Sequence, residues 1–399
     1  MAEASGSRVK FGVMGRSYPP MDHILGTMTR AEEQGWDFIN FPDQIPGLFP
    51  EGSVPLSASP PDDETLPVSS MTNIWMGSFE MITAAAVLTE RMGIQLGVID
   101  LLRRSPAIFA QEAVTVSHIS KGRARWCIGS GEAKQFLPYG EGRSKAVTRM
   151  EDALRTIHAL WQSGGGPVNR ESQFYPLTQA VLPQPLYDGK KPPIYMVGVA
   201  QKVLKLTAEL ANGWMTYLPG GADNDPEKLR TIISKIKAMT AAEGRDPEAM
   251  QFNGMVQLTL HETDEQAWEA IRSPANTWFS LVAISIDAGR TWKEWGYDNP
   301  LGDFMWSRDS STTILTPEQL AEFAPKIPEE ISSRAFVWGG PEKVAARLQE
   351  FIDAGLTEVT FTNCVSYVDP EFGHKFPGLI SDVMTRLGHA PLKLGVAAR

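Results

Sequence analysis

Short apolar runs alternate with amphipathic segments along most of this chain. Residues 9–14 form an apolar run that predicts a β-strand, and residues 21–34 carry apolar positions at the three- and four-residue spacing of a helix. A second apolar run, residues 37–41, predicts another strand directly afterwards. The chain is therefore predicted to open with a βαβ unit.

The same alternation continues to the C-terminal region. Further strands are predicted at residues 93–99, 124–128, 194–199, 213–217, 251–260 and 358–362. Helices are predicted at residues 79–90, 107–118, 145–161, 202–210, 341–354 and 372–387. Eight strands with helices between them, and no shift in composition that would mark a linker, favour a single α/β domain over residues 1–399. We expect a closed TIM (β/α)8 barrel rather than an open doubly wound sheet.

Two segments interrupt this repeat and are predicted to be insertions. Residues 46–73 are rich in proline, serine and acidic residues, and we interpret them as a lid or pocket wall on the face where barrels keep their active sites. Residues 274–327 contain several tryptophans. These tryptophans either line an apolar substrate pocket or pack as a separate excursion, and we favour packing.

Composition narrows the class of protein. The 42% hydrophobic and 21% charged content is typical of a folded globular chain, and the net charge of -10 disfavours binding to nucleic acid or to anionic membranes. Cys127 and Cys364 both lie in apolar runs, so we expect two buried reduced thiols. Without a signal peptide or a long apolar stretch, the sequence predicts a cytoplasmic protein.

Small and polar residues follow several of the predicted strands. In a barrel the carboxyl ends of all strands meet at one mouth, so these residues become neighbours. Glycines there let the backbone approach a flat ring system or a phosphate, and amides at a helix start favour an anion. The set comprises Asp43, Gln44, Asp100, Ser130, Gly131, Glu132, Gly198, Val199, Ala200 and Thr216.

Several familiar catalytic motifs are absent from the sequence. Lys134 occupies the position where a dinucleotide fingerprint needs its third glycine, and neither a Walker loop nor a GxSxG elbow occurs. The histidines are not spaced as metal ligands, and His118 and His158 fall in helical patterns where a structural role is expected. No metal site is predicted.

The chain resembles the luciferase-like flavin and deazaflavin oxidoreductases. The similarity rests on IGSGEA (128–133), on residues 103–129 and on residues 336–361, and GxGE is similar to the branch that uses the deazaflavin coenzyme F420. NRESQFYPL (169–177) and GKKPPIYMVGVAQKVLK (189–205) resemble the ketoreductases of this branch. The resemblance implies a TIM barrel with insertions, and it implies that the protein is a homodimer.

The resemblance also implies roles for individual residues. Asp43 matches an aspartate at the cofactor ring, and Gln135 matches a cofactor-contacting asparagine. Residues that line the cofactor ring and the active site are implied at Ser130, Gly131 and Glu132. The backbone that holds the cofactor phosphate is implied at Gly198, Val199 and Ala200. A non-prolyl cis peptide behind the ring is implied within Leu96, Gly97 and Val98. Thr216, past the sixth strand, is assigned to the same cofactor site.

At two positions the sequence departs from the family pattern, and at a third it matches a family residue whose role here is open. The family pairs aspartate with a histidine base where this chain has Asp43 and Gln44, and glutamine cannot titrate. The segment implied to hold the cofactor phosphate, residues 198–200, lacks the paired glycines of the family. Backbone amides can still bind a phosphate there, because they donate hydrogen bonds whatever the side chain is. Arg334 matches a sugar-phosphate-binding arginine, but we interpret it as a member of an ion pair.

The implied reaction is a hydride transfer from reduced F420 to a carbonyl carbon. We expect Glu132 to supply the proton, with burial raising its pKa, and we keep Asp43 and Tyr18 as alternative acids. Three other functions stay open: an FMN-dependent monooxygenase, a C=C or C=N reductase, and a noncatalytic deazaflavin-binding protein. The substrate is expected to be a small molecule that is apolar or bulky.

Overall fold

The computed structural model describes residues 8–15, 19–45, 47, 75–218, 220–222, 224–282, 289–311, 315–365, 372 and 375–394. The strands in these ranges are β1 (Lys10–Met14), β2 (Phe38–Phe41), β3 (Gly93–Asp100), β4 (Ala124–Gly129), β5 (Val168–Arg170), β6 (Leu177–Ala180), β7 (Ile194–Val197), β8 (Gly213–Leu218), β9 (Gln251–Leu260), β10 (Val337–Gly339) and β11 (Glu358–Asn363). The helices are α1 (Met21–Gln34), α2 (Ser78–Leu88), α3 (Pro106–Ile119), α4 (Ala146–Gln162), α5 (Gln201–Leu210), α6 (Pro226–Ala242), α7 (Asp264–Ile271), α8 (Pro274–Val282), α9 (Arg290–Glu294), α10 (Trp306–Asp309), α11 (Pro317–Phe323), α12 (Glu329–Arg334), α13 (Pro341–Asp353) and α14 (Phe376–Arg386).

Parallel strands close into a barrel in the described part of the chain. Their order is β1-β2-β3-β4-β7-β8-β9-β11, and β11 pairs in parallel with β1 to complete the ring. These are the strands that the apolar runs predict, so the predicted barrel is confirmed. The short strand β10 adds to β9 outside the ring, and β5 and β6 form a separate antiparallel hairpin. Neither feature was predicted, because these short strands contain no long apolar run.

Local sequence explains why the barrel elements form where they do. Helix α1 buries Ile24, Met28 and Ala31, which share one face of a 3.6-residue period, and it ends at Gly35. Gly35 adopts φ 97°, the left-handed conformation that glycine allows at a helix C-terminus. Strand β2 is buried along its whole length, as expected for a parallel strand covered by helices outside and side chains inside.

The region of the second predicted insertion has its own apolar cluster. Trp278 and Trp292 are buried in it, which confirms the packing interpretation for these two side chains. The first predicted insertion, residues 46–73, lies outside the described residues except for Gly47. Both cysteines are buried free thiols, as expected, and burial raises the pKa of Cys127 to about 12.

A polar network crosses the barrel interior and reaches its mouth. Arg125 Nη1 lies 2.6 Å from Glu358 Oε1, and Arg125 Nε donates to Gln95 Oε1 at 2.7 Å. Gln95 Nε2 donates to Asn40 Oδ1 at 2.8 Å, and Asn40 Nδ2 donates to the Gly97 carbonyl at 2.9 Å. This chain of contacts fixes the backbone at Gly97, beside the site described next.

Candidate functional site

The carboxyl ends of the barrel strands frame a cavity of about 470 Å³, hereafter the larger cavity. Most of the residues predicted for the cofactor site line it together. They are Asp43, Gln44, Val98, Ser130, Gly131, Glu132, Gln135, Gly198, Val199, Ala200 and Thr216. Residues that are far apart in sequence are thus brought to one mouth, as barrel topology requires.

A second cavity of about 110 Å³, hereafter the smaller cavity, adjoins the first. Gln44, Glu132, Tyr217 and Trp306 line both. The remaining described wall of the smaller cavity is largely apolar and comprises Met14, Pro42, Trp75, Gly97, Gly220, Met255, Gln257, Phe279, Val282 and Thr362. The site therefore has a larger compartment rich in backbone groups and a smaller apolar one.

Strand β3 separates the two compartments. The Gly97–Val98 peptide bond is cis, within the segment that the resemblance implied. Gly97 lines the smaller cavity and Val98 lines the larger one. Leu96, also predicted to contact the cofactor, is instead fully buried in the main apolar core, because side chains alternate along a strand.

Glycines keep the wall of the larger cavity flat. A Cβ at Gly131 would lie 2.5 Å from Phe136 Cε2, and a Cβ at Gly129 would lie 2.8 Å from Val98 Cγ1. Gly131 also adopts φ 78°, a conformation that L-residues rarely take. A bare backbone here is the arrangement that lets a planar ring system pack closely against the strand ends.

One end of the larger cavity suits an anion. Gly198, Val199 and Ala200 line the cavity immediately before helix α5, whose first amides lack partners within the helix. Arg143 also lines the cavity, and its Nε donates to the Gly131 carbonyl at 2.8 Å. Burial lowers the pKa of Arg143, but an arginine stays charged near neutral pH.

Asp43 is held in an ion-pair cluster. Arg103 Nη2 lies 2.5 Å from Asp43 Oδ2, and Arg103 Nε lies 2.6 Å from Asp100 Oδ2. Ser78 Oγ also donates to Asp43 Oδ1 at 2.7 Å. Burial opposes the charge of Arg103, but the two carboxylates outweigh it and raise its pKa. Both carboxyl oxygens of Asp43, which we considered as the alternative acid, are thus engaged by protein side chains.

Glu132 lies where the two cavities meet. Trp306 Nε1 donates to its Oε1 at 2.6 Å, and Lys134 Nζ lies 3.5 Å from its Oε2. The Glu132 side chain is 23% exposed. The expected burial is therefore only partial: Oε2 is buried, while the side chain as a whole keeps some exposure because it lines both cavities.

Lys134 and Gln44 form a second pair beside this carboxylate. The side chain of Lys134 is 2% exposed, and its Nζ donates to Gln44 Oε1 at 2.8 Å and to the Gly47 carbonyl at 2.9 Å. Burial lowers the pKa of Lys134, while the nearby Glu132 opposes this shift. Gln44, which replaces the family histidine, is thus an anchored acceptor.

Gln135 supports the same loop. Its Nε2 donates to Gln44 Oε1, and its Oε1 accepts from the Ile45 amide at 3.0 Å. Although Gln135 lines the larger cavity, its amide group is engaged by protein partners. The structure therefore gives Gln135 a role in positioning Gln44, and its contact with a cofactor stays a prediction.

Arg334, another candidate, lines neither cavity. Arg334 pairs with Glu330 at 2.6 Å and stacks over Trp295, so the ion-pair interpretation is confirmed. Tyr18 lies outside the described residues. Among the described residues, no cluster of three or more histidine, cysteine, aspartate or glutamate side chains could hold a metal ion.

Sequence reasoning missed four residues of the site. Arg103, Lys134, Arg143 and Trp306 contact the predicted residues directly. The double arginine after β3 and the lysine two positions past Glu132 were visible signals, because cations next to strand-end carboxylates predict ion pairs. Trp306 comes from the second predicted insertion, where we favoured packing over a pocket-lining role; for Trp306 that preference was wrong, because the side chain lines both cavities and donates to Glu132.

The luciferase-like monooxygenase family matches residues 8–358. This chain belongs to that family. Within the described ranges of this luciferase-like protein, we find no helix with the length and apolar character that crossing a membrane requires.

Individual relatives cover most of the chain. A phthiodiolone/phenolphthiodiolone dimycocerosates ketoreductase of Mycobacterium sp. (strain JLS) is 31% identical over 275 residues, 68% of this chain and 71% of the relative. An F420-dependent glucose-6-phosphate dehydrogenase of Kineococcus radiotolerans is 27% identical over 374 residues, 90% of this chain and 93% of the relative. The structure of an F420-dependent secondary alcohol dehydrogenase with an F420-acetone adduct superposes with a TM-score of 0.65 and 20% identity, covering 94% of this chain and 99% of that one.

Proposed function

We propose that this protein is an F420-dependent oxidoreductase that reduces a ketone to an alcohol or catalyses the reverse oxidation. The observation that carries this proposal is the position of Glu132, where the larger, backbone-walled cavity meets the smaller, apolar one. A carboxyl group at that junction can reach both a cofactor and a substrate. The names of the ketoreductase and dehydrogenase relatives support the same assignment.

The larger cavity fits the deazaflavin cofactor. Gly129 and Gly131 leave room for a flat ring, and Val98 would pack behind it. The amides before α5, together with Arg143, would hold its phosphate. With reduced F420 bound there, the cofactor would be the source of the hydride for the carbonyl carbon, and the protein would have to supply one proton to the carbonyl oxygen.

The proton is assigned to the pair formed by Glu132 and Lys134. Their side chains lie 3.5 Å apart, and the Lys134 ammonium group is almost completely buried. Burial lowers the pKa of Lys134, so its ammonium group can pass a proton to the neighbouring carboxylate, which lines both cavities and can deliver that proton to a bound oxygen. Trp306 holds the other carboxyl oxygen and orients the group.

The first test is titration of the purified protein with F420 and, separately, with FMN, following cofactor fluorescence. Preferential binding of F420 is expected. The family as a whole is described as monooxygenases, so an FMN-dependent monooxygenase is the second candidate. Tighter binding of FMN, with oxygen uptake in the presence of a flavin reductase, would establish that candidate instead.

Glu132→Gln tests the assigned proton donor. Because glutamine keeps the shape of the side chain but cannot supply a proton, kcat for ketone reduction should fall about 10²- to 10⁴-fold. The Kd for F420 should stay nearly unchanged. Glu141→Gln is the matched control, since Glu141 is exposed and lies outside both cavities. If Glu132→Gln retains wild-type kcat, the proton comes from another group.

A further inference from the structure

The smaller cavity has a wall that suits an uncharged ligand. Apart from Glu132, no charged side chain is among its described lining residues. A phosphate group placed there would lose its hydration without gaining a cation, which is costly. Met14, Met255 and Phe279 instead offer apolar surface to a hydrocarbon chain.

Among the described lining residues, two polar atoms lack both a hydrogen bond and an ion pair, whereas Glu132 Oε2, which also has no hydrogen bond, lies 3.5 Å from Lys134 Nζ. Gln257, on strand β9, is 8% exposed, and its Oε1 is buried without a hydrogen bond. The Trp75 Nε1 donor is likewise buried and unpaired. A buried acceptor without a partner is destabilising, and a bound ligand that donates to it would remove this penalty.

Position distinguishes these two atoms from other unpaired ones. Trp126 and Trp292 also bury an unpaired Nε1, but they lie in apolar core clusters and line neither cavity. Trp306, which lines both cavities, has its Nε1 bonded to Glu132. Gln257 and Trp75 therefore offer an acceptor and a donor, respectively, to a molecule in the smaller cavity.

We infer that the smaller cavity binds an uncharged, largely apolar ketone or secondary alcohol that carries a further hydroxyl group, with Gln257 accepting from that hydroxyl. Hydroxyl groups are both donors and acceptors, so they match Gln257 Oε1 and Trp75 Nε1. This inference rests on the proposed function, because it places the reacting carbon beside Glu132.

The test compares hexan-2-one with 4-, 5- and 6-hydroxyhexan-2-one as substrates of the wild-type protein with reduced F420. At least one hydroxyketone should have a kcat/KM about tenfold above that of hexan-2-one. A factor of this size is what one additional neutral hydrogen bond typically contributes to binding. Glucose 6-phosphate should be a poor substrate of the reverse reaction. Equal kcat/KM values across the ketones, or a preference for the sugar phosphate, would overturn the inference without relying on any variant.

Gln257→Leu assigns the preference to one side chain. In this variant, the ratio of kcat/KM for the preferred hydroxyketone to kcat/KM for hexan-2-one should fall towards one. Gln184→Leu is the matched control, because Gln184 Oε1 is also buried and unpaired but Gln184 lines neither cavity. A preference that survives in Gln257→Leu contradicts the assignment.

A calorimetric titration with hexane-2,5-diol and hexan-2-ol separates failure of the inference from failure of the proposed function. The diol should bind the wild-type protein more tightly than hexan-2-ol does, and Gln257→Leu should lose this difference. If the difference is found but no ketone is reduced, the binding site is supported and the proposed reaction is wrong. If ketones are reduced and the diol has no advantage, the inference is wrong and the proposed reaction stands.

Discussion

Replacing Arg125 by methionine should destabilise the barrel strongly. Arg125 is 11% exposed and lies 2.6 Å from Glu358, whose side chain is fully buried. In Arg125→Met, the described partners that the Glu358 carboxylate keeps are the Tyr195 hydroxyl at 3.4 Å, Asn253 Nδ2 at 3.3 Å and the Lys10 ammonium group at 4.0 Å, and only the last of these is charged. Gln95 Oε1 also loses its donor.

The expected magnitude follows from the charge that is left behind. Removing one partner of a buried ion pair typically costs about 3–5 kcal/mol, because the other charge stays buried without compensation. Removing both partners costs much less, since apolar side chains of similar volume restore packing. The double variant Arg125→Met/Glu358→Met should therefore be more stable than Arg125→Met alone.

Urea unfolding followed by circular dichroism measures both free energies of unfolding. The matched control is Arg386→Met, which removes an exposed ion pair with Asp382 and should cost less than about 1 kcal/mol. The reasoning is refuted if Arg125→Met costs no more than this control, or if adding Glu358→Met to it destabilises the protein further.

Two further predictions concern the cofactor wall and acid stability. Gly131→Ala should weaken F420 binding, because the new methyl group would meet Phe136. Gly140 is the control, since it has the same φ of 78° but no neighbour within 4 Å, so Gly140→Ala should leave the F420 fluorescence titration unchanged. Equal Kd values for both variants would contradict this reasoning. Burial, reinforced by nearby cations, lowers the pKa of His158 from 6.5 to about 4. Between these two pH values the unfolded chain therefore binds more protons than the folded protein does. The free energy of unfolding should fall by at most about 3 kcal/mol as the pH drops from 6.5 to 4. Urea unfolding across this range should show a shallower decline for His158→Phe, and identical slopes would assign the effect to other groups.

Local pattern was sufficient for the barrel. Helix α1 has the predicted bounds, and each predicted apolar run became a barrel strand, because burial on both faces leaves a continuous apolar sequence. Barrel topology then placed the strand-end residues together, from Asp43 to Thr216. These features depend on periodicity and chain order, both of which the sequence contains.

The pairing and exposure of the side chains in the site depended on contacts between segments that are distant in sequence. Trp306 donates to Glu132 across 174 positions of the chain, and the Lys134 ammonium group donates to Gln44 and to the Gly47 carbonyl, 90 and 87 positions away. The exposure of Glu132, the ion pairing of Asp43 and the unpaired acceptor of Gln257 all follow from such packing. The sequence by itself determined the barrel fold and predicted a set of residues most of which line the larger cavity. Only the tertiary structure decided which side chains are paired, because partner choice depends on the positions of loops and insertions that have no periodic pattern.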